Sequence, residues 1–374
     1  MTGDQGPVVA QGPGLTATPV ETHQAHPDAT PFVGASVLRR EEREEAIDAS
    51  LAPGATRPIG AGVRAIAEEP DPHRLSFERD LDRVKHSSPW RRLAGKCQVF
   101  IAPDDDHLRT RMTHAVEVAQ VATGIARAAR LCVPLAEAIA LAHDCGHGPA
   151  GHASETAFSP FMPGGMYDHA VYGADVTLAS LNLCVETLDG VRNHSWRRPA
   201  PGTPEGEVVA WADRIAYVCH DFSDACRAGI VRPDDLPGDV REVVGTRQSE
   251  QIGAFIGAVL EGVDATGRVA MTEPAASALA SFRAFNFERI YLRPAAVRQA
   301  DKVIALLRGL VEFFIDAPAR VPAVADGRVG LPPAGSDEAA AVAVRYVSGM
   351  TDRFALALGV ELLGWRPEDL PRGV

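Results

Sequence analysis

The sequence predicts an all-α protein, and three observations predict it. Apolar residues recur at helical spacing from about residue 75 onward, clusters of turn formers separate those runs, and no stretch shows the two-residue alternation of a sheet. The turns are "APDDD", "HGPAGH", "PFMPGG", "RRPAPGTP" and "RPDDLPGD". With 374 residues, 46% hydrophobic and 23% charged, the chain can bury the core of one large domain or two smaller ones.

Residues 1 to 35 are rich in Gly, Pro, Thr and Ala without periodicity, which predicts a disordered tail. Residues 36 to 74 are a poorly defined lead-in, where "RREEREEAID" suits a short charged helix and Pro53 and Pro58 punctuate the chain after it. A core over 75 to 230 and a helical C-terminal part over 231 to 374, packed on that core, complete the expected organisation. In the core, the Ala- and Val-rich run 107 to 129 predicts a helix packed on most sides. Pro134, suited to a first helical turn, opens "LAEAIALAHDCG", which ends on a glycine able to terminate it. The third helix is "EGEVVAWADRIAYVCHDFSDACRAGI", about 205 to 230. The fourth, "VRQADKVIALLRGLVEFFI", carries enough Leu, Ile, Val and Phe for a central or interface helix.

Composition narrows the function. No apolar run approaches the roughly 20 residues a bilayer span needs, and "MTGDQGPVVAQGPG" lacks the basic and apolar regions of a signal peptide, so a cytoplasmic protein without a membrane partner is expected. Six cysteines, none in a CxxC pair, read as reduced and mostly buried. A net charge of -12 gives no indication of nucleic-acid binding, which needs a basic face. It leaves room for a small anion held by a few local cations.

The stretch "LAHDCGHGPAGHASE", 141 to 155, concentrates three histidines, an aspartate and a glutamate. His143 and Asp144 adjoin near a helix end, so a metal placed off that end can be reached by both. His114 sits in an Ala/Val-rich helix where an unpaired imidazole is costly, with Arg111 one turn before it. Asp213 belongs to a polar stripe with Tyr217, His220, Asp221 and Asp224. Taken alone, that stripe is the water-facing side of an amphipathic helix.

The order His114, His143–Asp144, Asp213 is the H...HD...D signature of the HD hydrolase superfamily. Around it, "HDCGHGPAGHASE" resembles the "HDxGHxPxGHxxE" element of the deoxyguanosinetriphosphate triphosphohydrolase (dGTPase) family and its mammalian dNTP triphosphohydrolase relatives. "HSSPWRRLAGKCQVF", "RTRMTHAVEVAQVA", "LNLCVETLDGVRNH", "VVAWADRIAYVCHDFSDA", "FNFERIY" and "GMTDRFA" resemble further family elements in the same order, over roughly residues 75 to 360.

The resemblance implies an HD-domain helical bundle with additional C-terminal helices, and a metal-dependent enzyme that splits a dNTP into 2′-deoxynucleoside and inorganic triphosphate. It implies His114, His143, Asp144 and Asp213 as ligands of a divalent metal. Mn²⁺ or Mg²⁺ is expected first, and a mixed His/carboxylate set also suits Fe²⁺, Co²⁺ or Ni²⁺. His152 and Glu155 match the family's catalytic pair, and His169 is similar to a second catalytic histidine of the mammalian relatives. Here the chain departs from the common bacterial "HNxQ" segment with "DHAVYG", which leaves that role open. Arg111 and His147 match phosphate contacts; Tyr217, Asp221 and Gln98 match contacts to the deoxyribose 3′-hydroxyl. Cys97 and Ala150 replace a usual Thr and a usual aromatic, so the base preference does not carry over. The family's habit and the apolar C-terminal helices imply a homo-oligomer. The competing readings are another HD nucleotide phosphohydrolase, either a nucleotidase or a phosphodiesterase, and a non-catalytic nucleotide-binding regulator.

Overall fold

A computed structural model describes residues 22–30, 36–103, 105–322 and 330–372. The tail expected to be disordered lies outside the described residues except for 22–30. The chain from residue 40 onward makes one compact unit, which carries the helices of the described residues.

The fold is all-α. Its helices are α1 (Arg40–Ser50), α2 (Ser76–His86), α3 (Ser88–Arg92), α4 (Arg111–Ala128), α5 (Val133–Ala142), α6 (His152–Phe158), α7 (His169–Tyr172) and α8 (Val185–Asn193). They are followed by α9 (Pro204–Arg227), α10 (Gly238–Val244), α11 (Gln248–Thr266), α12 (Glu273–Asn286), α13 (Pro294–Asp316), α14 (Asp337–Ser348) and α15 (Asp352–Leu363). Among the described residues there is no strand, only the isolated bridges Arg64–Cys184 and Cys97–Thr110. No helix among them is long and apolar enough to cross a membrane. Five of the six cysteines are buried and all six are free.

Local chemistry explains the helix ends. Thr110 caps α4 by accepting from the Thr113 amide, while the Thr113 hydroxyl accepts from the Thr110 amide at 3.0 Å. Thr203 caps α9 ahead of Pro204, and Thr351 caps α15. The second expected helix runs one turn shorter than its glycine suggested. α5 ends at Ala142 because the imidazole of His143 donates from Nδ1 to the Ala140 carbonyl at 2.6 Å, satisfying one of the orphan acceptors of the last turn.

Two apolar cores form. The first is centred on α4, α5 and α9, with α2 and α8 packed on α5 and with α11 and α12 on α9. The second is built on α13, whose Val303, Leu306, Leu307, Leu310, Val311 and Phe314 pack against α14, α15 and α6. The segment between α5 and α6 crosses from one to the other: Cys145 belongs to the first core, Ala150 and, in α6 itself, Phe158 to the second. The histidine-rich stretch therefore lies on the seam.

Candidate active site

α4, the end of α5 and α9 bring His114, His143, Asp144 and Asp213 together. His114 Nε2 lies 3.0 Å from Asp213 Oδ1, and His143 Nε2 lies 3.4 Å from Asp144 Oδ1 and 3.6 Å from Asp213 Oδ1. His143 Nδ1 is committed to the Ala140 carbonyl, so the bare lone pair is on Nε2, which is buried without a hydrogen-bond partner. That is the tautomer and the orphaned atom a metal site requires. His114, His143 and Asp144 form one grouping able to hold a metal ion, and His143 and Asp213 belong to another. Burial alone would raise both carboxyls, but their neighbours outweigh it: the Arg111 guanidinium, with His143 and His147 alongside, holds Asp144 well below the usual carboxylate range, and the hydrogen bond from His114, with His143 nearby, lowers Asp213. Both are ionised, as ligands must be.

A second cluster adjoins the first through Asp144. His147 Nε2 is 3.3 Å and His169 Nε2 3.8 Å from Asp144 Oδ1. The rings of His147 and His169 stack with centroids 3.7 Å apart, and His152 stands edge-on to His147. Glu155 serves two imidazoles: Oε1 accepts from His169 Nδ1 at 2.5 Å, while Oε2 is 3.3 Å from His152 Nδ1. The tighter partner of Glu155 is thus His169, not the His152 that matches the pair. Burial opposes a charge on His169, yet the Glu155 and Asp144 carboxylates raise its pKa; burial, with Arg111 and His169, depresses that of His147. His152 is exposed, with 72% of its side chain accessible, at the mouth of the cluster. The result is a buried neutral imidazole beside Asp144, and a buried imidazole favoured as a cation and a solvent-reaching one that share the Glu155 carboxylate.

Glycine makes the tight packing possible. A Cβ on Gly146 would lie 2.0 Å from the His169 carbonyl oxygen, and one on Gly151, whose φ is +60°, would lie 2.2 Å from Arg111 Nη2. Arg111 is buried and donates to Asp144 Oδ2 at 2.6 Å.

These residues floor a cleft of about 900 Å³. Six arginines line it, namely Arg111, Arg197, Arg198, Arg214, Arg283 and Arg293, although the chain's net charge is -12. Gln98, Tyr217 and Asp221 line it too. The polar stripe of α9 does not simply face water. Asp213 meets His114, Tyr217 accepts from Arg283 Nε at 2.9 Å, His220 lies 3.0 Å from Glu117, Asp221 accepts from Tyr291 Oη at 2.5 Å, and Asp224 pairs with Arg109. Burial pushes the Asp221 carboxyl up to about 7. Gln98 Oε1 is buried without a protein partner among the described residues.

The HD domain family matches residues 111–218, the interval that holds both clusters, and the phosphohydrolase-associated domain matches 269–360. A deoxyguanosinetriphosphate triphosphohydrolase-like protein of Caldanaerobacter subterraneus subsp. tengcongensis is 38% identical over 323 residues, covering 85% of this chain and 93% of that one. The chain belongs to the dGTPase-like family of HD-domain phosphohydrolases. Proteins of the same description from Jannaschia sp. (34% identical; 82% of this chain, 94% of that one) and Clostridium perfringens (39%; 67% and 77%) are also similar. A hypothetical protein of Aquifex aeolicus with a solved structure aligns with a TM-score of 0.48 at 17% identity, over 78% of this chain and 69% of that one.

In this dGTPase-like chain, several residues of the site were not singled out from sequence. His194, at the end of α8, is buried; its Nδ1 donates to the Val191 carbonyl at 2.8 Å and its Nε2 lies 3.2 Å from His169 Nε2. Lys96 is buried and donates to the carbonyls of His147 and Ser348, the latter at 2.8 Å. Asp352 accepts from the amides of Cys97 and Ala150 at 2.9 and 2.8 Å. His194, Lys96, Tyr291 and Asp352 lie inside "VRNH", "KCQVF", "FERIY" and "GMTDRFA". The signal was in those stretches; the partner each residue meets is far away in the chain.

Proposed function

We propose that the protein is a metal-dependent dNTP triphosphohydrolase that releases 2′-deoxynucleoside and inorganic triphosphate. The observation that carries this reading is a His/Asp metal grouping sharing Asp144 with a His–Glu cluster at the floor of an arginine-lined cleft. A phosphate binder alone has no use for the paired acid/base groups.

In this reading His114, His143, Asp144 and Asp213 hold one divalent ion, with Mn²⁺ or Mg²⁺ favoured by the oxygen ligands and Fe²⁺, Co²⁺ or Ni²⁺ by the imidazoles. When bound, the ion supplies Lewis-acid charge at the α-phosphate and lowers the pKa of the attacking water. Arg111 directs its guanidinium at the α-phosphate oxygens while keeping Asp144 in place. His147, neutral and buried, donates to the phosphate. His152 exchanges a proton with the departing 5′-oxygen, and Glu155 orients both it and His169. His169, favoured as a cation, stabilises charge on the triphosphate. Tyr217, Asp221 and Gln98 receive the deoxyribose. Asp221, near neutrality, suits a hydroxyl as donor or acceptor. The arginines of the cleft wall take the β- and γ-phosphates. The dGTPase-like relatives support a dNTP as substrate, and a cytoplasmic homo-oligomer completes the proposal.

The test is incubation of the metal-loaded protein with each of the four dNTPs and GTP, followed by ion chromatography. Inorganic triphosphate with free deoxynucleoside is expected; pyrophosphate or orthophosphate as the primary product would overturn the reading in favour of another HD phosphohydrolase.

A further inference from the structure

We propose that Trp196 is a positioning residue for triphosphate binding, holding the Arg214 guanidinium by its face so that the N–H donors stay free for phosphate oxygens. This rests on the proposed reading of the cleft as a dNTP site but concerns a side chain to which that reading gives no part.

Trp196 stands in the segment joining α8 to α9, on the cleft wall, where the Arg198 amide donates to the Ser195 carbonyl at 2.8 Å and closes a turn. It belongs to neither apolar core and is 46% exposed. Three contacts nevertheless fix it. Its Nε1 donates to the Ala210 carbonyl at 3.0 Å, the Trp211 ring meets it edge to face with centroids 4.7 Å apart, and Arg214 Cζ lies 3.4 Å from its ring centroid. Trp211 packs against the first core, so the stack is anchored. Ala210 and Arg214 are one turn apart on α9. The indole therefore grips the helix at one residue and covers the guanidinium of the other.

The manner in which Arg214 is held decides what it can bind. At 3.4 Å the guanidinium lies flat on the indole, touching it through its face and not through its N–H groups. Among the described residues no carboxylate forms an ion pair with it, and its Nε is buried without a hydrogen-bond partner. Two other cations of the cleft have donors already engaged: Arg111 donates to Asp144 at 2.6 Å and Arg283 to Tyr217 at 2.9 Å. A salt bridge would fix Arg214 as well, but it would occupy the donors and offset the charge. An aromatic face fixes the group and leaves both available to an anion. With Arg197, Arg198 and Arg283 lining the same cleft, like-charge repulsion favours a guanidinium swung out into solvent, and the indole opposes that swing.

The experiment is calorimetric titration of inorganic tripolyphosphate into the full-length protein at constant Mg²⁺, for the wild type, Trp196→Phe, Trp196→Leu, Arg214→Ala and the Trp196→Leu/Arg214→Ala double variant, with circular dichroism checking that each is folded. Trp196→Leu is expected to weaken binding by about 2- to 30-fold, the range of a cation–π contact, and Trp196→Phe, which keeps an aromatic face, to recover most of it. In the Arg214→Ala background the Leu substitution is expected to cost nothing further. Unchanged binding in a folded Trp196→Leu, a Phe variant no better than Leu, or an equal loss in both backgrounds would overturn the proposal. A 2′-deoxynucleoside, titrated in the same way, is expected to bind Trp196→Leu and the wild type alike; a loss there, with tripolyphosphate unaffected, would make Trp196 a base-stacking residue instead. Tryptophan emission needs no variant at 196: tripolyphosphate is expected to change it in the wild type and not in Arg214→Ala, and no change in the wild type would count against the proposal. Release of triphosphate from dNTPs by a wild type that shows no coupling between Trp196 and Arg214 would sink this inference while sparing the proposed reaction.

Discussion

His152 reaches solvent, whereas the metal grouping is buried behind it, so their functions separate by substitution. In His152→Ala the turnover number is expected to fall by about 10²- to 10⁴-fold, the range for loss of a general acid or base, with metal content and melting temperature unchanged. Steady-state kinetics with metal analysis reads both; full activity would remove His152 from the chemistry. Asp213→Ala is expected to differ in its metal content, losing metal and activity together. At this scale the sequence was informative because chemistry-bearing residue types stood in motif order: every candidate from Gln98 to Asp221 lines or floors the cleft or sits in the adjoining metal grouping. His194 escaped because its interest lies in an imidazole 25 residues earlier, a contact no local spacing encodes. The division of Glu155 between two histidines escaped for the same reason.

Among the elements, the segment joining α5 to α6 is the critical one, and it is anchored by a buried lysine rather than by regular structure. Lys96 donates to the His147 carbonyl, and burial lowers its pKa to about 7 from an unfolded value near 10.5. The sign comes from proton uptake. Above pH 10.5 the amine is neutral in both states; as pH falls toward 7 the unfolded chain binds the proton first and folded stability drops; below about 7 the effect is constant. The difference in unfolding free energy between wild type and Lys96→Met is therefore expected to change between pH 7 and 10.5 and to be flat below. Denaturant titrations at several pH values check it, and a constant difference throughout would contradict a depressed lysine. Helix positions were legible from the apolar period, while the starts of α4 and α9 are set by caps at Thr110 and Thr203 that the sequence reading did not single out. The end of α5 was not, because a side-chain bond from His143 replaced the glycine stop that the sequence offered.

Over the whole molecule, the site is held where two cores meet. Asp352, the first residue of α15, accepts from Cys97 and Ala150, tying the C-terminal helices to both loops that flank Arg111 and His147. Replacing it with Ala leaves two buried amides without their acceptor, a cost of about 1–3 kcal/mol for each. A lower melting temperature is expected together with a reduced turnover number, although Asp352 lies outside the residues assigned to chemistry; unchanged kinetics would mean the C-terminal helices do not position the site. This long-range dependence could not be read from "GMTDRFA" alone, since the acceptor and its donors are 255 and 202 residues apart.

In the proposed reaction water attacks the α-phosphorus of a dNTP. The most direct measurement is hydrolysis in ¹⁸O-labelled water with mass spectrometry of both products. One ¹⁸O in inorganic triphosphate and none in the deoxynucleoside is the predicted result. Label in the deoxynucleoside, or in released pyrophosphate or orthophosphate, would contradict it.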